Sequence, residues 1–182
     1  MKVVITGHTK NLGKAFCNHF DTPGNSIIGL SRSTGYDLET KDGFTQALTF
    51  INQYKPDLFI NNFYYRDTQA EFMKNLYNTV TTITVGSTCF DLENYVGLYA
   101  KFNKVIEDVH RNQNRVSDLQ HLYLRLGRLE NRPKPYMLYQ EREEVTLISY
   151  DQVMQAVDCW IAHPYFSLIE IEGTPEHFIP TW

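Results

Sequence analysis

Lys2-Val3-Val4-Ile5-Thr6-Gly7-His8-Thr9-Lys10-Asn11-Leu12-Gly13 is the stretch that decides the fold. Residues 2–6 form a continuous, largely β-branched run, the pattern of a strand covered on both faces. Gly7 permits a tight turn at the end of that strand, and Gly13 lets the next helix lie close to the sheet. The helix is read from Leu12, Ala15, Phe16 and Phe20, which share one face at helical spacing. A strand, a glycine turn and a helix N-terminus together offer unpaired N–H groups and a partial positive charge to a phosphate.

Outward from this unit, apolar runs and amphipathic helices alternate. Further strands are expected over Ser26–Ser31, Asp57–Asn61, Val80–Gly86, Leu122–Leu126 and Ser167–Glu172. Phe44, Ala47, Leu48 and Ile51 mark a second helix. Thr68 with Glu71 gives a capping-box pattern for a third, and Ser149 with Gln152 gives another for the last. The longest helix is expected from about Glu93 to His110, with Tyr95, Leu98, Tyr99, Phe102, Ile106 and Val109 inward. The last helix turns Val153, Ala156, Val157, Trp160 and Ile161 inward and stops before Pro164. Such alternation predicts an α/β fold with a doubly wound parallel sheet in three α/β/α layers. Residues 1–182 are read as one domain. Gly127–Glu144, rich in Pro, Arg and Glu, is expected to be a mobile loop over a site.

Composition removes several function classes. A net charge of −4 gives no electrostatic footprint for nucleic acid or an acidic membrane. Cys17, Cys89 and Cys159 are widely spaced with no Cys-x-x-Cys, which fits a reducing cytoplasm and argues against zinc. Val3-Val4-Ile5 is too short for a signal-peptide core, and no run reaches membrane-span length. The six histidines form no metal-ligand spacing, and His8 alone falls near the phosphate turn. His19 and His110 read as surface or boundary residues. Aromatics at 14% exceed a minimal core; most are read as core filling, with a pocket or a homo-oligomer contact as the alternative for some.

The turn Thr6-Gly7-His8-Thr9-Lys10-Asn11-Leu12-Gly13 resembles the Thr-Gly-x-x-x-Gly-x-Gly signature of the short-chain dehydrogenase/reductase family. Asn11 replaces the middle glycine, and Asn is the non-Gly residue that best tolerates left-handed backbone. The resemblance implies a Rossmann-type domain whose cofactor is held by Gly7, Thr9, Lys10, Asn11, Leu12 and Gly13. After the second strand, Arg32 stands where an acid would bind the ribose 2′-OH of NAD and where an Arg accommodates a 2′-phosphate. With Lys10 also basic, NADP(H) is expected over NAD(H). Asp37, after a short third-strand segment, matches an Asp beside the adenine. Asn61-Asn62 resembles the start of Asn-Asn-Ala-Gly, with Phe63-Tyr64 in place of Ala-Gly. Leu124-Arg125-Leu126-Gly127-Arg128 and Ile148-Ser149-Tyr150-Asp151-Gln152-Val153 are similar to the extended branch of the family.

The family reduces carbonyls or oxidises alcohols with a Ser, a Tyr and a Lys four residues after the Tyr. Ser87, closing the fifth predicted strand, stands where the Ser belongs. No Tyr here is followed four residues later by Lys. One register makes Tyr99 the acid with Asn103 in place of Lys and Glu107 following; another keeps Lys101 but puts Gly97 at the Tyr position. At about 100° per residue, Tyr99 and Asn103 lie about 40° apart and Lys101 about 160° from Tyr99, which favours the first. Asn103 brings no positive charge to acidify a phenol. The resemblance thus implies an oxidoreductase with an altered tetrad acting on a small carbonyl, alcohol or nucleotide sugar. A non-catalytic NADP(H)-binding sensor or assembly module stands beside it, and a scaffold that binds nothing is the third reading.

Overall fold

Strand β1 (Lys2–Thr6) runs through the middle of one side of the sheet and buries Val3, Val4, Ile5 and Thr6 completely. The computed structural model describes residues 1–88, 97–127, 129, 147–171 and 178–179. After β1 come α1 (Asn11–Phe20), β2 (Ser26–Leu30), a 3-10 turn (Arg32–Thr34), α2 (Lys41–Tyr54), β3 (Leu58–Asn61) and α3 (Thr68–Leu76). Then follow β4 (Thr81–Ser87), α4 (Leu98–Asn114), β5 (His121–Leu126), α5 (Tyr150–Ala162), β6 (Leu168–Ile171) and β7 (Phe178–Ile179). The strands form one sheet in the order β2-β1-β3-β4-β5-β6-β7. The first six in chain order are parallel, and β7 is antiparallel to β6. This is the Rossmann-type α/β fold expected from the sequence. No helix among the described residues is long and apolar enough to cross a membrane.

Alternation along β1 sets the two layers. Val3 and Ile5 face Leu12, Phe16 and Phe20 of α1 and Val153, Val157 and Trp160 of α5. Val4 faces the other way, toward Ala47 and Ile51 of α2 and Phe72 and Leu76 of α3. A side-chain period of two in the strand thus meets helical faces above and below.

Five expectations need correction, the first being His110, which is buried rather than a surface or boundary residue. The short third strand before Asp37 does not form: the chain turns through Arg32–Thr34 and Gly35 (φ 90°) straight toward α2. The Thr34 hydroxyl donates to the Gly29 carbonyl at 2.9 Å, occupying the outer side of β2 there. Thr68 is not a cap but the buried first residue of α3; Asp67 precedes it, and Glu71 pairs with Lys74 instead. The last helix does carry its capping box at Ser149 and Gln152, but Ile161 is exposed. Helix α4 is rotated from its expected setting: Leu98 is outside, and Ala100, Asn103, Ile106, Glu107 and His110 face inward. The Gly127–Glu144 loop falls mostly outside the described residues.

The reason for that rotation lies on the sheet. On β5, Leu122, Leu124 and Leu126 serve the α1/α5 core, while Tyr123 joins the opposite cluster with Ile106. Glu107 accepts from Arg111 at 2.9 and 2.7 Å and lies 3.6 Å from Arg125 Nε, while Arg125 donates to Glu170 at 2.7 Å. A polar helix face meets a polar strand face, and hydrophobic periodicity cannot report that.

His110 and His121 are the buried ends of this polar layer. The Tyr77 hydroxyl meets His110 Nδ1 at 2.7 Å, and the Tyr77 ring stacks on His121 with centroids 3.8 Å apart. The Thr82 N–H donates to His121 Nδ1 at 3.2 Å, so Nε2 carries the proton toward Ser117 Oγ at 2.9 Å. Burial lowers both imidazoles to about 4, with the mutual repulsion of the pair a further cause at His110. The same burial pushes the Tyr77 phenol up.

Well above pH 6.5 both imidazoles are neutral in the folded and unfolded chains. As pH falls toward 4, the unfolded chain takes up protons that the folded chain refuses, so stability is lost through that window. By pH 5 the loss is on the order of 2 kcal/mol per histidine. Urea unfolding at pH 7.5 and 5.0 should therefore show a clear fall in midpoint at constant slope; equal midpoints would mean the histidines are not buried neutral.

Candidate nucleotide-binding site

The sheet order reverses direction between β1 and β3, and a crevice opens there beyond their carboxyl ends, where ligands of such sheets bind. Thr6 closes its floor. Its Oγ1 accepts from the N–H groups of Asn62 and Phe63, both at 3.0 Å, and donates to the Ile60 carbonyl at 3.3 Å. Asn62 Nδ2 donates to the carbonyls of Thr6 and Gly7 at 3.3 and 3.4 Å. Asn61 turns inward: its Nδ2 donates to the Gln69 carbonyl at 2.9 Å, and Gln69 Nε2 reaches the Asn61 and Val85 carbonyls, both at 2.8 Å. Both asparagine side chains thus brace the crevice.

Gly7 (φ 67°) and Asn11 (φ 49°) take the left-handed backbone that the turn requires. A Cβ on Gly13 would overlap the Gly7 carbonyl and come within 2.8 Å of Asn62 Nδ2, so only glycine lets α1 sit this close. Leu12 is buried in the core, anchoring the same turn of helix. The start of α1 has no side-chain cap and no acid in its first turn, leaving its dipole and N–H groups for an anion. This cradle fits a pyrophosphate. The His8 ring packs over Gly29, whose missing Cβ makes the room.

Beside the loop lies a pocket of about 480 Å³ lined by Gly7, Thr9, Lys10, Arg32, Asp37 and Glu39, with Phe63 against the loop. Lys10 and Arg32 bring two positive charges to it, and Asp37 and Glu39 two negative ones. Arg32 Nε lies 3.3 Å from Asp37 Oδ2, and Nη2 lies 3.0 Å from Glu39 Oε1. Asp37 first and then Glu39 raise the pKa of the guanidinium. Asp37 thus engages Arg32. Glu39, Ser31 and Phe63 also line the pocket without a sequence signal, and Glu39 reaches it because the chain turns through Gly35.

The proton-handling candidates lie at the end of β4 and in α4. Ser87 is half-buried at the end of β4. Tyr99, in the first turn of α4, is half-buried and meets Tyr64 edge-on at 4.6 Å between centroids. Asn103 is 1% exposed, and its Nδ2 donates to the Tyr99 carbonyl at 2.9 Å, within its own helix. Lys101 is exposed. Residues 89–96, between Ser87 and α4, lie outside the described residues. Among the described residues no cluster of His, Cys, Asp or Glu could hold a metal ion.

No protein-family model and no curated protein matches the sequence. The fold, however, is similar to solved structures of dehydrogenases and reductases. An alcohol dehydrogenase from the archaeon Thermococcus sibiricus, complexed with 5-hydroxy-NADP, superposes with a TM-score of 0.73 at 14% identity, covering 100% of this chain and 99% of that one. A short-chain dehydrogenase/reductase from Vibrio parahaemolyticus gives 0.68 at 14% identity, over 94% of this chain and 99% of the other. A dTDP-4-dehydrorhamnose reductase from Bacillus anthracis in complex with NADP gives 0.64 at 12% identity, over 95% and 75%. At these identities the likeness establishes the fold, and at that level it agrees with the resemblance read from the loop motif.

The loop geometry makes a direct test possible. Gly13→Ala should destabilise the protein by about 1–3 kcal/mol through overpacking against the Gly7 carbonyl. Asn11→Gly, at a position already left-handed, should stay within about 1 kcal/mol of wild type. Denaturant unfolding of both variants measures this, and a well-tolerated Gly13→Ala would contradict the close approach.

Proposed function

We propose that the protein is a divergent NADP(H)-dependent oxidoreductase of the short-chain dehydrogenase/reductase type. The observation that carries this reading is the pocket over the phosphate loop, where Gly7, Lys10 and Arg32 meet at the reversal of strand order. Loop and helix N-terminus would hold the pyrophosphate, and Lys10 and Arg32 the 2′-phosphate. Two of the similar structures are complexes with NADP or a derivative of it, which supports this choice of cofactor. A bound NADPH would supply the hydride. The Ser87 hydroxyl would polarise a substrate carbonyl and the Tyr99 hydroxyl would pass the proton, with Asn103 holding the helix turn that carries Tyr99. The substrate would be a small carbonyl or alcohol, or a nucleotide sugar. The free thiols of Cys17 and Cys159 fit a cytoplasmic setting.

A second reading draws on Asn103. Its amide is buried and bonded within α4, and no lysine stands four residues after Tyr99 to acidify a phenol. A non-catalytic NADP(H)-binding module would have this arrangement.

Calorimetric titration should show NADPH binding about tenfold more tightly than NADH, with Arg32→Met removing most of the difference. Failure to bind either nucleotide would end both readings. Tyr99→Phe should abolish turnover on a responsive carbonyl while leaving NADPH affinity within twofold. Undiminished turnover would remove Tyr99 from the scheme, and binding without turnover on a broad carbonyl panel would favour the non-catalytic module.

A further inference from the structure

The guanidinium of Arg32 is held by two of the chain's own acids. Nε lies 3.3 Å from Asp37 Oδ2, and Nη2 lies 3.4 Å from Asp37 Oδ1 and 3.0 Å from Glu39 Oε1. The Nε–Nη2 edge is a face of the fork that takes an oxyanion with two parallel bonds. A phosphate arriving at Arg32 on that edge therefore meets a seat already filled.

The two acids differ in their other contacts. Asp37 Oδ1 accepts from the Glu39 N–H at 3.3 Å, its carbonyl accepts from Thr40 N–H and Oγ1, and its backbone fills the space beside Gly43. It shapes the turn into α2. The Glu39 carboxylate supports no such turn, and among the described residues it meets only Arg32. The ion pair is also open to exchange, since the Arg32 side chain is 67% and that of Glu39 44% exposed.

We propose that Glu39 is a specificity-determining residue of the nucleotide site: an internal counter-anion seated on Arg32 that lowers the preference for a 2′-phosphorylated over a 2′-hydroxyl adenosine ligand. The inference rests on the reading of this pocket as the adenosine end of a dinucleotide site. A 2′-phosphate has to displace the Glu39 carboxylate from Nη2 and then sits beside it, with Asp37 still on Nε, so that three anions share one guanidinium. A ribose 2′-OH meets neither cost, because a carboxylate accepts its hydrogen bond. Glu39 therefore works against the phosphate-binding charge of Lys10 and Arg32 and acts on one class of ligand only.

The test uses calorimetric titration of the full chain with adenosine 2′,5′-bisphosphate and with 5′-AMP, and in parallel with NADPH and NADH. The proteins are wild type, Glu39→Gln, Arg32→Met and the double variant, each checked for an unchanged thermal midpoint. Glu39→Gln should tighten the bisphosphate and NADPH roughly three- to tenfold and leave 5′-AMP and NADH within twofold. The gain should vanish in the Arg32→Met background. Equal gains for both ligand classes, no gain, or a gain that survives without Arg32 would overturn the role of Glu39 while leaving the nucleotide site intact. If wild type and Glu39→Gln bind none of the four ligands, the pocket is not a nucleotide site and the inference falls with it.

Discussion

The close contact between the start of α1 and the turn after β1 is the constraint on which the rest of the molecule depends. Gly13 rests against the Gly7 carbonyl with no room for a single methyl group, and the Asn62 amide donates to that carbonyl. Thr6 then stitches β1 to the end of β3 through three hydrogen bonds. With these parts locked, α1 starts at the crevice without a side-chain cap. Buried backbone polar groups must find partners, and here their partners hold the loop in shape.

The second organising feature is a polar seam between α4 and the sheet. Glu107, Arg125 and Glu170 form one ion network, and Tyr77, His110 and His121 form an adjoining aromatic and imidazole cluster. Buried charges and imidazoles cost free energy unless paired, so each such residue demands a specific neighbour. That demand fixes the rotation of α4, which a uniformly apolar face would leave less defined, and with it the outlook of Tyr99. The alcohol dehydrogenase and reductases of similar fold share this architecture.

The turn after β1 and the start of α4 differ in character. At the turn, Gly7 and Asn11 take left-handed backbone, α1 starts without a side-chain cap, and Lys10 and Arg32 line a pocket. At the start of α4, Tyr99 packs on Tyr64, and Asn103 turns back into its helix. The pocket itself is electrically mixed, since Asp37 and Glu39 answer Arg32.

Local pattern in the sequence determined strands β1 to β6, the order of the helices, the glycine turn after β1 and the capping box at Ser149, because each is governed by residues within a few positions of one another. Asn11 shows how far that reach extends: its tolerance for left-handed backbone is a property of the residue itself. The tertiary structure alone decided the rest. It replaced the expected third strand with the turn at Gly35, rotated α4 onto its polar face, buried His110 and brought Glu39 onto Arg32. In each case the deciding partner lies elsewhere in the fold, as Arg125 does for Glu107 and His121 for His110. Periodicity registers which residues avoid water, and it is blind to polar groups that are buried because a distant partner waits for them.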